Sequence, residues 1–312
     1  MNWDPMNVKR TDLLSLTVRA PAAAAKQNEL CGAYHDEQRA RNYDDNRAKI
    51  AESDNEQMLA DLKKDIADHF GRVVIIGAGP SLHAFREYIP KLQRHCVLIF
   101  ADTAAQRARE YVDRYEVGRL YTITVDSDPL GILAAHYDLQ VPFPHNWRLL
   151  AQVYGCPRVV GGFSKAMFFT GAWLPSPTVS RAHEEFKNIP IMPTGTGCMV
   201  TAYRIAALAG ASKIVALGID LEFAFDPEKR QHTITEKDPT LVKQCKIKTP
   251  EGIAHVVSTP GYLRMIGEFR ESMAAFRAEV GVNLRLGGRL YPAPLMHPRD
   301  FIRRAKHDHS VR

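Results

Sequence analysis

Short apolar runs alternate with amphipathic segments along the middle of this chain. Four runs are rich in Val, Ile and Leu and nearly free of polar residues, a pattern typical of strands buried on both faces of a parallel sheet. They occupy residues 72–76, 96–101, 120–125 and 213–218. Segments with helical periodicity follow them, at 80–92, 103–116 and, before the last strand, 198–210. This alternation predicts an α/β fold, a Rossmann-like, doubly wound and mostly parallel sheet.

The first 70 residues are more polar than this region and slightly acidic. Apolar positions recur there at helical spacing: Ile50, Met58, Leu59, Leu62 and Ile66. We expect residues 1–30 to form a partly ordered arm, and residues 46–69 to form a helix that packs on the following domain. The chain then divides into a helical N-terminal arm with its packing helix (1–70), a Rossmann-like catalytic domain (71–298) and a basic tail (299–312), which we expect to be frayed.

The regular pattern weakens in two places. Residues 139–190 are rich in Pro, Gly and aromatic residues, which predicts an insertion or a lid. Residues 224–258 are polar and predict irregular structure. After them, the sequence predicts a helix over about 260–280 and a short strand over 282–286.

The composition is that of an ordinary globular protein, with 45% hydrophobic and 24% charged residues, which excludes collagen-like, coiled-coil and wholly disordered chains. A formal charge of +6 suits a binder of anionic small molecules, and we do not expect a nucleic-acid partner. Five cysteines without a C-x-x-C pair argue against a disulfide framework and favour a cytoplasmic protein. No apolar run reaches the ~18 residues of a membrane span, so we expect none. An oligomer is left open.

A glycine-rich loop, Gly77-Ala78-Gly79-Pro80-Ser81, separates the first strand from the next helix. Glycines let a backbone approach a ligand closely, and free N–H groups at a helix start attract phosphate. The spacing is neither G-x-G-x-x-G nor a P-loop. We predict that these five residues bind a nucleotide-type ligand, and a tight turn without a ligand is the alternative.

Four acidic residues follow the ends of three predicted strands: Asp102, Asp126, Asp128 and Asp220. The carboxyl ends of parallel strands border the ligand crevice in open α/β sheets. Asp126 and Asp128 are the predicted ligands of a Mg²⁺ ion, since that ion prefers oxygen donors. They are equally suited to bind a ribose or to cap the next helix. Asp102 is predicted to contact the nucleotide.

A second loop of glycines and hydroxyls, Thr194-Gly195-Thr196-Gly197, precedes the predicted helix 198–210. It predicts a second contact with a phosphate or a nucleotide base, and a helix cap is the alternative. His255 is the candidate general base, because a neutral imidazole can take a hydroxyl proton near neutral pH. A solvent-facing histidine is the alternative there.

The run from residue 74 to 82, Val-Ile-Ile-Gly-Ala-Gly-Pro-Ser-Leu, resembles the signature of the 6-hydroxymethylpterin diphosphokinase MptE-like family, which includes the Maf-type flagellin glycosyltransferases. Further segments are similar in the same order: 46–50, 99–102, 124–129, 194–197, 206–210 and 214–221. Pterin diphosphokinases move a diphosphate from ATP with magnesium, so this resemblance assigns Asp126 and Asp128 to the metal. Related bacterial sialyltransferases transfer a nonulosonic acid from a CMP-sugar and use a histidine base, which His255 matches.

The sequence therefore predicts a transferase of the MptE-like type, moving a diphosphate or another phosphate-activated group from a nucleotide donor, ATP or a CMP-sugar, to a hydroxyl acceptor. His255 and Asp220 are its predicted catalytic residues, and Mg²⁺ is its predicted metal. A CMP-nonulosonate glycosyltransferase and a non-catalytic nucleotide-binding or interaction protein are the alternatives.

Overall fold

The structure is a computed structural model that describes residues 22–112, 120–127, 143–171, 176–222, 243–288 and 290–310. The strands are β1 (Arg72–Ile76), β2 (Val97–Ala101), β3 (Leu120–Thr124), β4 (Trp147–Gln152), β5 (Lys165–Gly171), β6 (Ile191–Met192), β7 (Lys213–Leu217), β8 (Lys243–Thr249), β9 (Gly252–Ser258) and β10 (Val282–Arg285). The α-helices are α1 (Ala22–Glu52), α2 (Asn55–Asp68), α3 (Pro80–Phe85), α4 (Ile89–Gln93), α5 (Thr103–Ala108), α6 (Pro157–Gly161), α7 (Pro177–Glu185), α8 (Cys198–Leu208), α9 (Pro260–Ala275) and α10 (Pro298–Ser310).

Eight of the strands form one sheet in the order β10-β7-β1-β2-β3-β4-β5-β6, and every neighbouring pair is parallel. In the centre, Val73 of β1 lies opposite Val97 of β2 on one side and Ile214 of β7 on the other. All five residues of β1 are buried, which explains its apolar run from Val73 to Ile76. The buried Arg72, which begins the strand, donates from Nε to the carbonyl of His95. The prediction of a Rossmann-like, mostly parallel sheet is confirmed.

Helices cover both faces of this sheet, because alternate residues of each strand point to opposite sides. Val74 and Ile76 of β1 belong to a core with α4, α5, α7 and α10. Val73 and Ile75 belong to a second core with α2, α8 and α9. The chain leaves β1 toward the first face and returns to β7 from the second. Adjacent strands whose connections run to opposite faces open a crevice at their carboxyl ends.

Two regions that the sequence analysis left irregular are ordered strands. The predicted insertion or lid over 139–190 contains β4 and β5, which extend the sheet past β3. Their buried runs are rich in Leu, Phe and Met rather than β-branched residues, so they lacked the usual strand signal. Residues 243–258 were predicted to be irregular and instead form the antiparallel hairpin β8–β9.

The basic tail is also ordered, contrary to the expectation of a frayed end. Residues Pro298–Ser310 form α10. Its apolar residues Phe301, Ile302 and Ala305 are buried against the sheet. Arg303 is 70% exposed on the opposite side. The spacing of these apolar residues is helical, although basic residues surround them in the sequence.

The helix predicted over 46–69 is two helices. Helix α1 ends at Glu52 and α2 begins at Asn55. Asp54 caps α2, since its side chain accepts the N–H of Gln57. Asn42 of α1 donates to the carbonyl oxygens of Ser127 and Tyr154 at 2.8 and 3.0 Å. These buried bonds fix α1 to the carboxyl ends of β3 and β4. Among the described helices, none is long and apolar enough to cross a membrane.

Candidate functional site

The carboxyl ends of β1 and β7 meet through their loops. Gly77 N–H donates to the carbonyl of Leu217 and Gly79 N–H to that of Gly218, both at 2.8 Å. A Cβ on Gly79 would lie 2.4 Å from Asp220 Oδ2. The glycines of the first loop therefore allow its backbone to touch the loop after β7, and two of its N–H groups already have acceptors.

Asp220 ties this junction together. Its Oδ2 accepts the N–H of Ser81 at 2.8 Å, and Ser81 Oγ in turn accepts the N–H of Gly218 at 3.0 Å. The side chain is buried, its Oδ1 has no hydrogen-bond partner among the described residues, and burial raises the pKa of its carboxyl. Gly288 closes over Oδ1 with a φ of 73°, and a Cβ there would lie 2.3 Å away. The predicted catalytic residue Asp220 thus organises three loops.

Asp102 occupies the equivalent place after β2. Its φ of 39° and ψ of −109° lie outside the left-handed helical region that Asp adopts most readily, so its backbone is strained. Its Oδ2 accepts the thiol hydrogen of Cys198 at 2.6 Å, and its Oδ1 is shut off from solvent. Although Asp102 as a residue is only partly buried, loss of water around its carboxyl raises its pKa to about 7.

Cys198 is the first residue of α8, so this bond joins the end of β2 to the start of that helix. Burial and the neighbouring Asp102 charge hold the pKa of the Cys198 thiol well above its usual range. A thiol in that state is a poor nucleophile. Asp102 and Cys198 therefore form a rigid surface at the carboxyl ends of β1 to β3, which we call the Asp102–Cys198 floor.

The second glycine loop lies against Glu268 of α9. The N–H and hydroxyl of Thr196 both donate to the Glu268 carboxylate, the former at 2.7 Å. Gly195 N–H donates to Thr201 Oγ1 at 3.0 Å, and Arg264 also pairs with Glu268. The N–H groups of Gly195 and Thr196, which were predicted to bind a phosphate, therefore donate to protein acceptors. Glu268, which sequence reasoning missed, takes the position expected for a bound anion.

The other predicted site residues are placed less fully. Asp126 is exposed just after β3, and its predicted metal partner Asp128 lies outside the described residues. His255 lies in β9, where the structure describes its backbone only. In the described part of the chain, no three His, Cys, Asp or Glu side chains converge in a manner suited to a metal ion. The magnesium site and the histidine base stay predictions.

A cavity of about 760 Å³ opens at the carboxyl ends of β1, β7 and β10. Arg285, at the end of β10, lies in its wall; its side chain is only 3% exposed and pairs with Glu251 of the hairpin turn at 2.5 Å. Its Nε also donates to the carbonyl of Ala293. Sequence reasoning missed this pair, since the hairpin that brings Glu251 to the sheet was not predicted.

Comparison with known proteins adds a structural neighbour. No family model and no curated protein sequence matches this chain. A Maf glycosyltransferase from Magnetospirillum magneticum AMB-1 has a similar fold, with a TM-score of 0.55 and 15% sequence identity. The similarity covers 81% of this chain and 42% of that one. This chain thus spans less than half of the neighbour's length, and such low identity establishes the fold alone. The MptE-like resemblance stays a prediction.

Proposed function

We propose that this protein is a glycosyltransferase that uses a nucleotide-activated sugar. The observation that carries the proposal is the Asp102–Cys198 floor: a strained residue with a buried carboxyl, at the carboxyl edge of a doubly wound sheet. Strained backbone persists where the surrounding structure enforces it, and it clusters at functional sites. The Maf glycosyltransferase supports this class of reaction through its fold.

In the proposed reaction, the acceptor hydroxyl attacks the anomeric carbon of the sugar, and the bond from that carbon to the phosphate oxygen breaks. The nucleotide leaves with the electron pair, and the hydroxyl proton passes to a base, for which His255 stays the predicted residue. The N–H groups of Gly195 and Thr196 already bond to Thr201 and Glu268. We expect the remaining N–H groups at the start of α8, the positive end of an eleven-residue helix, to stabilise the leaving phosphate.

Asp102 and Cys198 are positioning residues in this proposal. Their hydrogen bond fixes the start of α8 relative to β2, so the donor meets a preformed surface. Diphosphoryl transfer from ATP, which the sequence analysis favoured, depends on Asp126 and Asp128 acting together on a metal. No further observation among the described residues favours that reaction.

Thermal unfolding with candidate donors tests the proposal. We expect CMP and a CMP-sugar to raise the melting temperature without added metal, since a ligand at about one hundred times its dissociation constant adds ~2.7 kcal/mol. Cys198→Ala should weaken that shift, and Glu279→Gln, which changes an exposed residue, should not.

Two results would reject the proposal. Stabilisation by ATP with Mg²⁺ alone, abolished by a chelator, would favour the diphosphokinase. The lack of a shift with every nucleotide would favour a non-catalytic interaction protein. Product formation is then measured directly, by release of free CMP from the CMP-sugar in the presence of candidate acceptors.

A further inference from the structure

The cavity beside the glycine loop lies apart from the proposed donor site. Pro80 and Ser81 line one side of it, and Leu286 and Met296 line the other. The proposed donor site follows β2, whereas the cavity lies over β7 and β10, on the other side of β1. Strands in a sheet are spaced ~4.8 Å apart, so β2 and β7 are separated by about 10 Å. A volume of about 760 Å³ is in the usual range of small-molecule sites.

Contacts between three separate segments hold the walls of this cavity in place. A Cβ on Gly287 would lie 2.4 Å from Ser81 and 3.2 Å from the Phe85 ring, so this glycine lets the end of β10 pack directly against α3. The ion pair between Arg285 and Glu251 joins the turn of the hairpin β8–β9 to the same end of β10. The cavity is therefore formed before any ligand binds, as small-molecule sites usually are.

Apolar side chains from each of these segments converge on the cavity. Ile253 and Leu295 are the two large apolar side chains that stand most exposed in the described residues, at 72% and 57%. Both line this one cavity, Ile253 from the hairpin and Leu295 from the segment after β10. Phe85, Leu286 and Met296 extend the same wall. Exposed apolar side chains that converge on one concavity mark a ligand site, because covering them removes apolar surface from water.

The carboxyl and guanidinium groups that line the cavity already interact within the protein. Glu251 pairs with Arg285 at 2.5 Å. Asp220 lies closed beneath Gly288, and its Oδ2 accepts a backbone N–H. Glu222 has an interaction partner of its own. A charged ligand would therefore lose hydration without a free group of opposite charge among these four residues to replace it, and such a loss is costly.

We propose that this cavity binds an uncharged and predominantly apolar small molecule. The apolar body of the ligand would cover Ile253 and Leu295 and would lie against Phe85. Burial of this apolar surface would drive binding. A nucleotide is an anion and does not suit these walls, so the site is distinct from the proposed donor site and does not depend on the proposed function.

Three probes with the same chain length test the class of ligand: octan-1-ol, n-octylamine and octanoate. At neutral pH the amine is a cation and octanoate is an anion, as lysine and glutamate side chains are. In ligand-observed NMR on the full chain, we expect the alcohol to bind at least about tenfold more tightly than either charged probe, which corresponds to ~1.4 kcal/mol. Hexan-1-ol should bind about tenfold more weakly than octan-1-ol, since it lacks two buried methylene groups. Equal or tighter binding of a charged probe, or equal affinity of the two alcohols, would overturn the proposed class.

Variants then locate the site. Ile253→Ser and Leu295→Ser change exposed side chains and should not disturb folding, and each should weaken octan-1-ol binding at least about threefold through lost apolar contact. Ala48→Ser, the same kind of change at an exposed position of α1 outside the cavity, should leave the affinity unchanged. Equal octan-1-ol affinity in all three variants would place the binding elsewhere and overturn the site.

The mass of the protein in solution tests a different occupant, a second copy of the chain. In analytical ultracentrifugation, we expect the parent and Ile253→Ser to have the same mass. A parent dimer that dissociates in Ile253→Ser would show that a second copy covers the apolar wall, and it would overturn the small-molecule proposal. None of these results depends on the nucleotide experiment, so the two proposals fail separately.

Discussion

The thiol of Cys198 donates a hydrogen bond to Asp102 Oδ2 at 2.6 Å and so connects the end of β2 with the first turn of α8. The two residues are 96 positions apart in the sequence. Their contact exists because parallel strands deliver their carboxyl ends to one edge, where α8 also begins. A carboxyl that is shut off from water is costly when ionised, which is the physical reason for its raised pKa.

This raised pKa predicts a pH-dependent stability. Between the ordinary value of 3.8 and about 7, folded Asp102 retains a proton that the unfolded chain has released, so stability falls as pH rises through that window. Asp102→Asn removes this titration with little change in side-chain size, and any cost from the strained backbone is the same at every pH. Between about pH 4 and about pH 8, the free energy of unfolding of the variant should therefore rise by ~1 kcal/mol or more relative to that of the parent.

Denaturant unfolding at several pH values measures this difference. Asp45→Asn is the control, since Asp45 is an exposed aspartate of α1. Parallel stability curves for the parent and Asp102→Asn would show that the Asp102 carboxyl ionises normally in the folded protein.

The close packing of the glycine loop gives a second prediction, which concerns the stability of a Gly79 variant. A Cβ on Gly79 would lie 2.4 Å from Asp220 Oδ2 and 2.8 Å from the carbonyl oxygen of Gly218, and the backbone atom cannot move aside. Gly79→Ala should lower the free energy of unfolding by about 1–3 kcal/mol, as overpacking does. Gly281→Ala is the control, since nothing lies within 4 Å of its Cβ position. Chemical denaturation compares the two, and equal stabilities would contradict the observed loop contact.

The sequence was most informative where a pattern is local. The β-branched runs predicted β1, β2, β3 and β7, because strands buried on both faces leave a continuous apolar signature. Aromatic and Leu-rich β4 and β5 lacked that signature. The hairpin β8–β9 was missed because β8 has three lysines among its seven residues and so lacks a continuous apolar run.

The candidate site shows a similar division. The strand ends predicted that acidic residues and a glycine loop would border the ligand crevice, since parallel topology brings strand ends to one edge. Sequence could not show that Leu217 and Gly218 accept the N–H groups of the glycine loop, or that Glu268 accepts those of Thr196. Such bonds depend on tertiary distances between residues far apart in the chain. The same holds for Arg285 and Glu251.

The attachment of α1 to the sheet gives a third prediction. Asn46 Nδ2 donates to the carbonyls of Val153 and Gly155 at 3.2 and 2.9 Å, in a buried setting just after β4. Asn46→Ala leaves both carbonyls without this donor and should cost about 1–3 kcal/mol. Arg41→Ala changes an exposed residue of the same helix and should cost less than ~0.5 kcal/mol. Denaturant unfolding of both variants measures the contribution of the arm, and equal stabilities would show that α1 contributes nothing through Asn46.

The ion pair between Glu251 and Arg285 gives the last prediction, since it joins the hairpin turn to the end of β10. The Arg285 side chain is 3% exposed and Glu251 is 49% exposed, so Glu251→Gln removes the partner of a buried cation while the new side chain still meets water. Because Glu251 is half exposed, solvent screening limits the loss to ~1 kcal/mol, or about fivefold in the local opening equilibrium. Hydrogen–deuterium exchange should accelerate in β8 and β9 while the rate in β1 stays unchanged. Glu87→Gln, at another exposed acid, is the control. Equal acceleration in β1 would mean that the pair stabilises the whole domain and does not specifically hold the hairpin against the sheet.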